Sequence, residues 1–125
     1  MTQPRLSISA TVLGTPDPPA LGEFYSKLLG WPITWNEPDW VMIKPPSGGT
    51  GLSFQLESTH VAPVWPQVSG EQQMMMHLDI AAPDGLSAAV AYAESLGATQ
   101  ADFQPQDNVR VMLDPAGHPF CLFKD

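Results

Sequence analysis

Residues 10–31 read Ala10-Thr-Val-Leu-Gly-Thr-Pro16-Asp17-Pro-Pro-Ala-Leu-Gly-Glu-Phe-Tyr25-Ser-Lys-Leu-Leu-Gly30-Trp31 and return, without a gap, as residues 77–98. Pro16 falls on Pro83, Asp17 on Asp84, Tyr25 on Tyr92, Leu29 on Leu96 and Gly30 on Gly97. A second stretch follows suit. Val41-Met42-Ile43 aligns with Val111-Met112-Leu113 at an offset of 70, and Phe54-Gln55-Leu56 with Phe120-Cys121-Leu122 at an offset of 66. Two matching stretches in the same order mark an internal duplication, which organises every other reading of the chain.

Each copy predicts the same elements. Leu6–Leu13 alternates apolar and small polar residues as a strand does. Asp17 then stands as an N-cap with Pro18 at the first helical position. Leu21, Phe24, Tyr25, Leu28 and Leu29 recur at helical spacing up to a stop at Gly30. Strands follow over Trp31–Trp35, Trp40–Lys44 and Leu52–Glu57. In the second copy the strand is Met74–Ala81. The helix opens at Asp84-Gly85, carries Leu86, Ala89, Val90, Ala93 and Leu96, and stops at Gly97. Strands near Ala98–Phe103, Val109–Leu113 and Pro119–Lys124 complete it. The order is βαβββ twice, an α+β fold. It predicts a single domain over 1–125, with repeat one about 6–58, a Pro/Gly-marked linker over 59–73 and repeat two about 74–125.

Composition narrows the function. The chain has 125 residues, 43% of them hydrophobic and 14% charged, as in a globular domain. Thirteen acidic against five basic side chains give a net charge of −8. That field opposes binding to nucleic acid or to an anionic membrane surface. No apolar run reaches the roughly 20 residues that span a bilayer, and the N-terminus lacks the pattern of a signal peptide. The expected setting is therefore cytoplasmic. Cys121 is the sole cysteine, so no intrachain disulfide can form.

The stretches Phe24-Tyr25-Ser-Lys-Leu-Leu-Gly30-Trp31, His77-Leu-Asp-Ile80 and Asp114-Pro115-Ala-Gly117-His-Pro-Phe120-Cys-Leu-Phe123 carry a resemblance. The chain is similar to the vicinal oxygen chelate superfamily, which includes glyoxalase I, bleomycin-resistance proteins and extradiol dioxygenases. Within it, the chain looks most like glyoxalase-like domain proteins of high-GC Gram-positive bacteria. The resemblance implies that each copy curls into a mixed sheet with its helix outside, that two copies form a cupped pocket, either within one chain or across a dimer, and that the protein is a homodimer.

Metal-dependent members place one ligand on each of four strands. The matching positions are Ala10, Gln55, His77 and Cys121. Ala10 has no donor atom, Gln55 offers an amide where the family has a carboxylate, and Cys121 offers a soft thiol. Glu57, two residues beyond Gln55, and Asp79, beside His77, are the available substitutes. The expectation is accordingly no cofactor. If a divalent metal such as zinc, nickel or iron were held, its ligands would be drawn from His77, Gln55, Glu57 and Cys121.

The pocket-lining set expected from facing patterns is Trp35, Trp40, Met42, Met75, Met112 and Phe123, with Gln55, His77, Arg110 and Cys121 as polar groups. In this pattern Met74, Met76, Leu78 and Ile80 pack under a helix, and so do Leu52, Phe54 and Leu56. Arg110 reads either as an anchor for a ligand anion or carbonyl, or as a partner of Asp107 or Asp114. Trp65, in the linker, reads as a lid or an intersubunit anchor. His60 belongs to the linker and His118 to a turn. The function that follows is binding of a small hydrophobic or aromatic molecule without a catalytic metal. The alternative is a divalent-metal-dependent lyase or dioxygenase of glyoxalase type.

Overall fold

A computed structural model of the chain describes residues 2–125. It resolves into two compact units, Met1–Glu57 and Ser58–Asp125.

The first unit runs β1 (Ala10–Thr15), α1 (Pro18–Leu29), β2 (Ile33–Glu37), β3 (Trp40–Ile43) and β4 (Gly51–Leu56). Its sheet has the order β1-β4-β3-β2, with β1 parallel to β4 and the other neighbours antiparallel. Helix α1 starts where Asp17 accepts a hydrogen bond from the Ala20 N–H at 3.1 Å, with Pro18 at the first helical position. It ends at Gly30, whose φ of 70° suits glycine and lets its N–H reach the Ser26 carbonyl. Leu21, Phe24 and Tyr25 face the sheet and are buried together with Val41, Ile43, Leu52 and Phe54. Tyr25 stacks on Phe54 with ring centroids 5.8 Å apart, and Phe24 meets Tyr25 edge-on at 4.8 Å. Helix and sheet approach closely at Gly22, where a Cβ would lie 2.5 Å from a Val41 methyl.

The second unit repeats the order with β5 (Leu78–Ala81), α2 (Leu86–Ser95), β6 (Thr99–Gln100), β7 (Val109–Leu113) and β8 (Pro119–Phe123). Its sheet has the order β5-β8-β7-β6, again with one parallel pair, β5 with β8. Helix α2 has Gly85 at its N-cap and no side-chain cap, and Ala93 is its one buried residue. Met112, Phe120 and Leu122 make the center of this core.

Three strands are shorter than the alternation predicts. β1 begins at Ala10, not Leu6, because its partner β4 begins at Gly51 directly opposite. Leu6 and Ile8 are left exposed; beside them the Gly51 N–H donates to the Ser9 carbonyl and the Thr50 hydroxyl to the Ile8 carbonyl. β5 begins at Leu78, not Met74, because β8 offers Pro119 as its next residue and proline has no N–H to donate. Met76, expected beneath a helix, is consequently 77% exposed. β6 covers Thr99–Gln100 of the expected Ala98–Phe103, since the Gln104 side chain takes over the pairing. Its amide donates to the Val111 carbonyl and accepts from the Val111 N–H, both at 2.8 Å. Leu56, at the end of β4, is also more exposed than expected.

Candidate functional site

In the second unit, the parallel register sets Asp79 of β5 directly beside Cys121 of β8. His77 lies two residues before Asp79, the spacing that returns a side chain to the same face. The result is a cluster in which one donor atom each from His77, Asp79 and Cys121 lies within 4.8 Å of the others. His77 Nε2 is 3.1 Å from Asp79 Oδ1, with both side chains open to solvent. Burial pushes the Cys121 thiol above its ordinary range, and the negative charge of Asp79 and a hydrogen bond to it push the same way. Both influences favour the protonated thiol over the thiolate. Among the described residues this is the one group of three such side chains positioned to share an ion.

The corresponding face of the first unit is built differently. Trp40 pairs with Gln55 and Met42 with Ser53, all on the face opposite α1, and Trp35 pairs with Met42. Gln55 Nε2 donates to Glu57 Oε1 at 2.6 Å, so these two candidate ligands are engaged with each other. Ala10, on β1, carries no donor atom. The four-strand ligand set implied by the resemblance therefore does not fit this chain.

Two expected pocket residues lie on the wrong side. Arg110 pairs with Leu122 and Met112 with Phe120, and these partners belong to the buried side under α2. Arg110 lines a shallow groove with Val90, Ala91 and Glu94 of α2, and its guanidinium donates to the Gln106, Asp107 and Val109 carbonyls at 3.1, 3.1 and 2.7 Å. It braces the loop before β7, where a ligand anchor was expected. Met112 is fully buried. The cause is a one-residue slip between the copies. Val41 and Ile43 face α1, whereas in β7 the helix-facing residues are Arg110 and Met112. The matched letters Val-Met hide opposite facings, because side chains alternate along a strand.

The remaining candidates divide. Phe123 pairs with Val109 and Ala81 on the Cys121 side and is partly exposed. Met75 is exposed and precedes β5. Trp65 is tied within its own unit, donating from Nε1 to the Phe103 carbonyl at 3.1 Å, with the two rings 6.2 Å apart. His60 Nε2 lies 2.8 Å from the Ala116 carbonyl oxygen and its ring 5.0 Å from that of His118. The buried Asp114 carboxylate closes the turn there, accepting from the Ala116 and His118 N–H groups. Both histidines thus belong to the framework of that turn. Asp79, expected on the same face as His77, is the residue whose role the sequence understated. Its i, i+2 spacing from His77 was legible, but its place beside Cys121 depends on strand register.

Residues 10–123 match the family described as glyoxalase-like domain. Three solved structures show the same fold at low identity. A glyoxalase/bleomycin resistance protein/dioxygenase family enzyme from Burkholderia phytofirmans PsJN is 17% identical, covering 93% of this chain and 96% of its own, with a TM-score of 0.68. A glyoxalase family protein from Enterococcus faecalis is 19% identical over 94% and 96%, with a TM-score of 0.66. An antibiotic binding protein from Streptomyces sp. CB03234 is 15% identical over 98% of both chains, with a TM-score of 0.60. Among curated proteins no sequence match is found. Among the described residues, no helix is long and apolar enough to cross a membrane.

Proposed function

We infer the function of this chain from the family to which it belongs, the glyoxalase-like domain family, and propose that it binds a small hydrophobic or aromatic molecule without a catalytic metal at the family's positions. The observation that carries this reading is a contrast on the first unit's helix-free face. Ala10 and the engaged Gln55–Glu57 pair leave the expected ligand set broken there, while Trp35, Trp40 and Met42 offer large, partly exposed apolar surface. Apolar and aromatic surface with a few polar groups is the usual lining of a small-molecule site. The net charge of −8 favours a cationic ligand over an anionic one. One solved structure of the same fold is named for binding an antibiotic, and that use of the fold agrees with this reading. In the same proposal the protein is a cytoplasmic homodimer, its exposed sheet edges covered by pairing.

The test is a titration of metal-free protein with planar aromatic cations, followed by tryptophan fluorescence. Saturable quenching is expected, with Trp40→Leu weakening binding by about tenfold or more, as for an aromatic anchor. A flat response across uncharged and cationic aromatics overturns the reading. Metal-dependent turnover of such a compound would favour a lyase or dioxygenase instead.

A further inference from the structure

We propose that the second unit binds a small apolar zwitterion, a free aliphatic α-amino acid, in the groove between α2 and its sheet, with the carboxylate on Arg110 and the ammonium on Glu94. This goes beyond the aromatic-ligand reading and stands on different residues. The groove lies on the side of the second sheet that carries α2, opposite to Asp79 and Cys121.

The sequence makes the groove. Leu86, Val90 and Glu94 recur every fourth residue and form one row along α2, with Ala91 beside it. The helix is rich in small side chains and buries Ala93 alone, whereas α1 fills the matching space with Leu21, Phe24 and Tyr25. Gln100 lies opposite Met112 across β6 and β7, and Arg110 is two residues before Met112, so both reach the helix side of the sheet. Together these residues bound an open groove of about 280 Å³. That is just under the usual span of small-molecule sites, about 300–1,000 Å³, and suits a ligand the size of one amino acid.

Charge selects the ligand. The bonds from Arg110 Nη1 to the Gln106, Asp107 and Val109 carbonyls hold the guanidinium in place. Its Nε and Nη2 N–H groups, the rest of the planar fork, have no acceptor among the described residues. Glu94 lines the same groove without pairing to Arg110. An anion alone would meet Glu94 and the chain's net charge of −8, and a cation alone would meet Arg110. A zwitterion satisfies both ends. Its carboxylate accepts two parallel N–H bonds from the Arg110 fork, and its ammonium donates to the Glu94 carboxylate. Leu86 and Val90, both partly exposed, are then covered by an aliphatic side chain.

Titration of isotope-labelled protein with L-leucine, followed by amide chemical shifts, tests this. L-leucinamide, which lacks the carboxylate, and N-acetyl-L-leucine, which lacks the ammonium, are run beside it. Leucine is expected to bind saturably and to shift amides of α2, β6 and β7. Each of the other two should bind at least about tenfold more weakly, as for the loss of one charge-assisted bond. Glu94 is exposed, so Glu94→Gln keeps the fold, and circular dichroism checks it. That variant should weaken leucine about tenfold and leave N-acetyl-L-leucine unweakened. Arg110→Lys keeps the charge, loses the fork, and should also bind leucine more weakly. Absence of saturable shifts overturns the site, and so do shifts confined to other elements. Equal binding of the three compounds, or full leucine affinity in Glu94→Gln, overturns it as well. Binding of planar aromatic cations at Trp40 involves neither Glu94 nor Arg110, so failure here is distinct from failure of that reading.

Discussion

The two units share one element order and differ in where their side chains are spent. In the first, α1 brings Leu21, Phe24 and Tyr25 onto the sheet and is capped at both ends by Asp17 and Gly30. In the second, α2 buries Ala93 alone and starts at Gly85 without a side-chain cap. The distribution reverses on the faces away from the helices. There the first unit presents Trp40, Met42 and a Gln55–Glu57 pair, whereas the second presents the His77, Asp79 and Cys121 cluster. A duplicated unit can thus separate tasks, with one copy weighted toward packing and the other carrying a cluster of titratable side chains.

The tyrosines at matched repeat positions should show this contrast most strongly. Tyr25 is 0% exposed and stacked on Phe54, whereas Tyr92 is 48% exposed on α2. Tyr25→Ala should cost about 3–5 kcal/mol, the usual range for emptying an aromatic core site. Tyr92→Ala should cost no more than about 1 kcal/mol, as at other largely exposed positions. Urea unfolding followed by far-ultraviolet circular dichroism measures both. Equal losses would break the comparison, since they would mean that α2 contributes as much packing as α1.

The same contrast explains what the sequence made legible. Repeat order, both helices and the caps at Asp17 and Gly30 are local signals: apolar spacing, a capping carboxylate and a left-handed glycine. Strand facing is not local. The letters Val-Met recur at 41–42 and 111–112, yet Val41 faces its helix while Met112, not Val111, faces the other. One residue of slip moved Arg110 and Met112 from the expected pocket to the helix side. Strand ends failed for a related reason. The alternation through Leu6–Ile8 and Met74–Met76 is genuine, but the partner strands begin too late to pair with it. The candidate cluster was legible in part: His77 and Cys121 stand out as residue types, while Asp79 gains its role only through a parallel register.

The helix caps provide a smaller and cleaner comparison. Asp17 accepts from the Ala20 N–H, and its repeat counterpart Asp84 makes no cap bond to α2. Asp17→Ala should therefore destabilise the protein by about 1 kcal/mol. Asp84→Ala should fall within about 0.5 kcal/mol of no effect, as at surface positions away from such features. The urea midpoints of the two variants decide the matter. A loss at Asp84 matching that at Asp17 would show that the N-terminus of α2 is capped after all.

The least effect is expected at Cys121, where the second unit has a titrating group and the matched position in the first has the neutral Gln55. Alkylation requires the thiolate. A raised thiol pKa leaves less thiolate at a given pH, so metal-free protein at pH near 8 should react with iodoacetamide more slowly than an unstructured cysteine peptide. Burial is the first cause of the shift, and the charge and hydrogen bond of Asp79 come after it. Asp79→Asn should then lower the pKa only part of the way. The rate should rise by a few-fold at most and stay below the peptide value, because Cys121 is still buried from water. A rate that fell in Asp79→Asn would mean that the carboxylate promotes the thiolate, reversing the assigned sign. A rate equal to the peptide's would mean that burial does not restrain Cys121, and the second sheet's face would then be more open than its strand pairing implies.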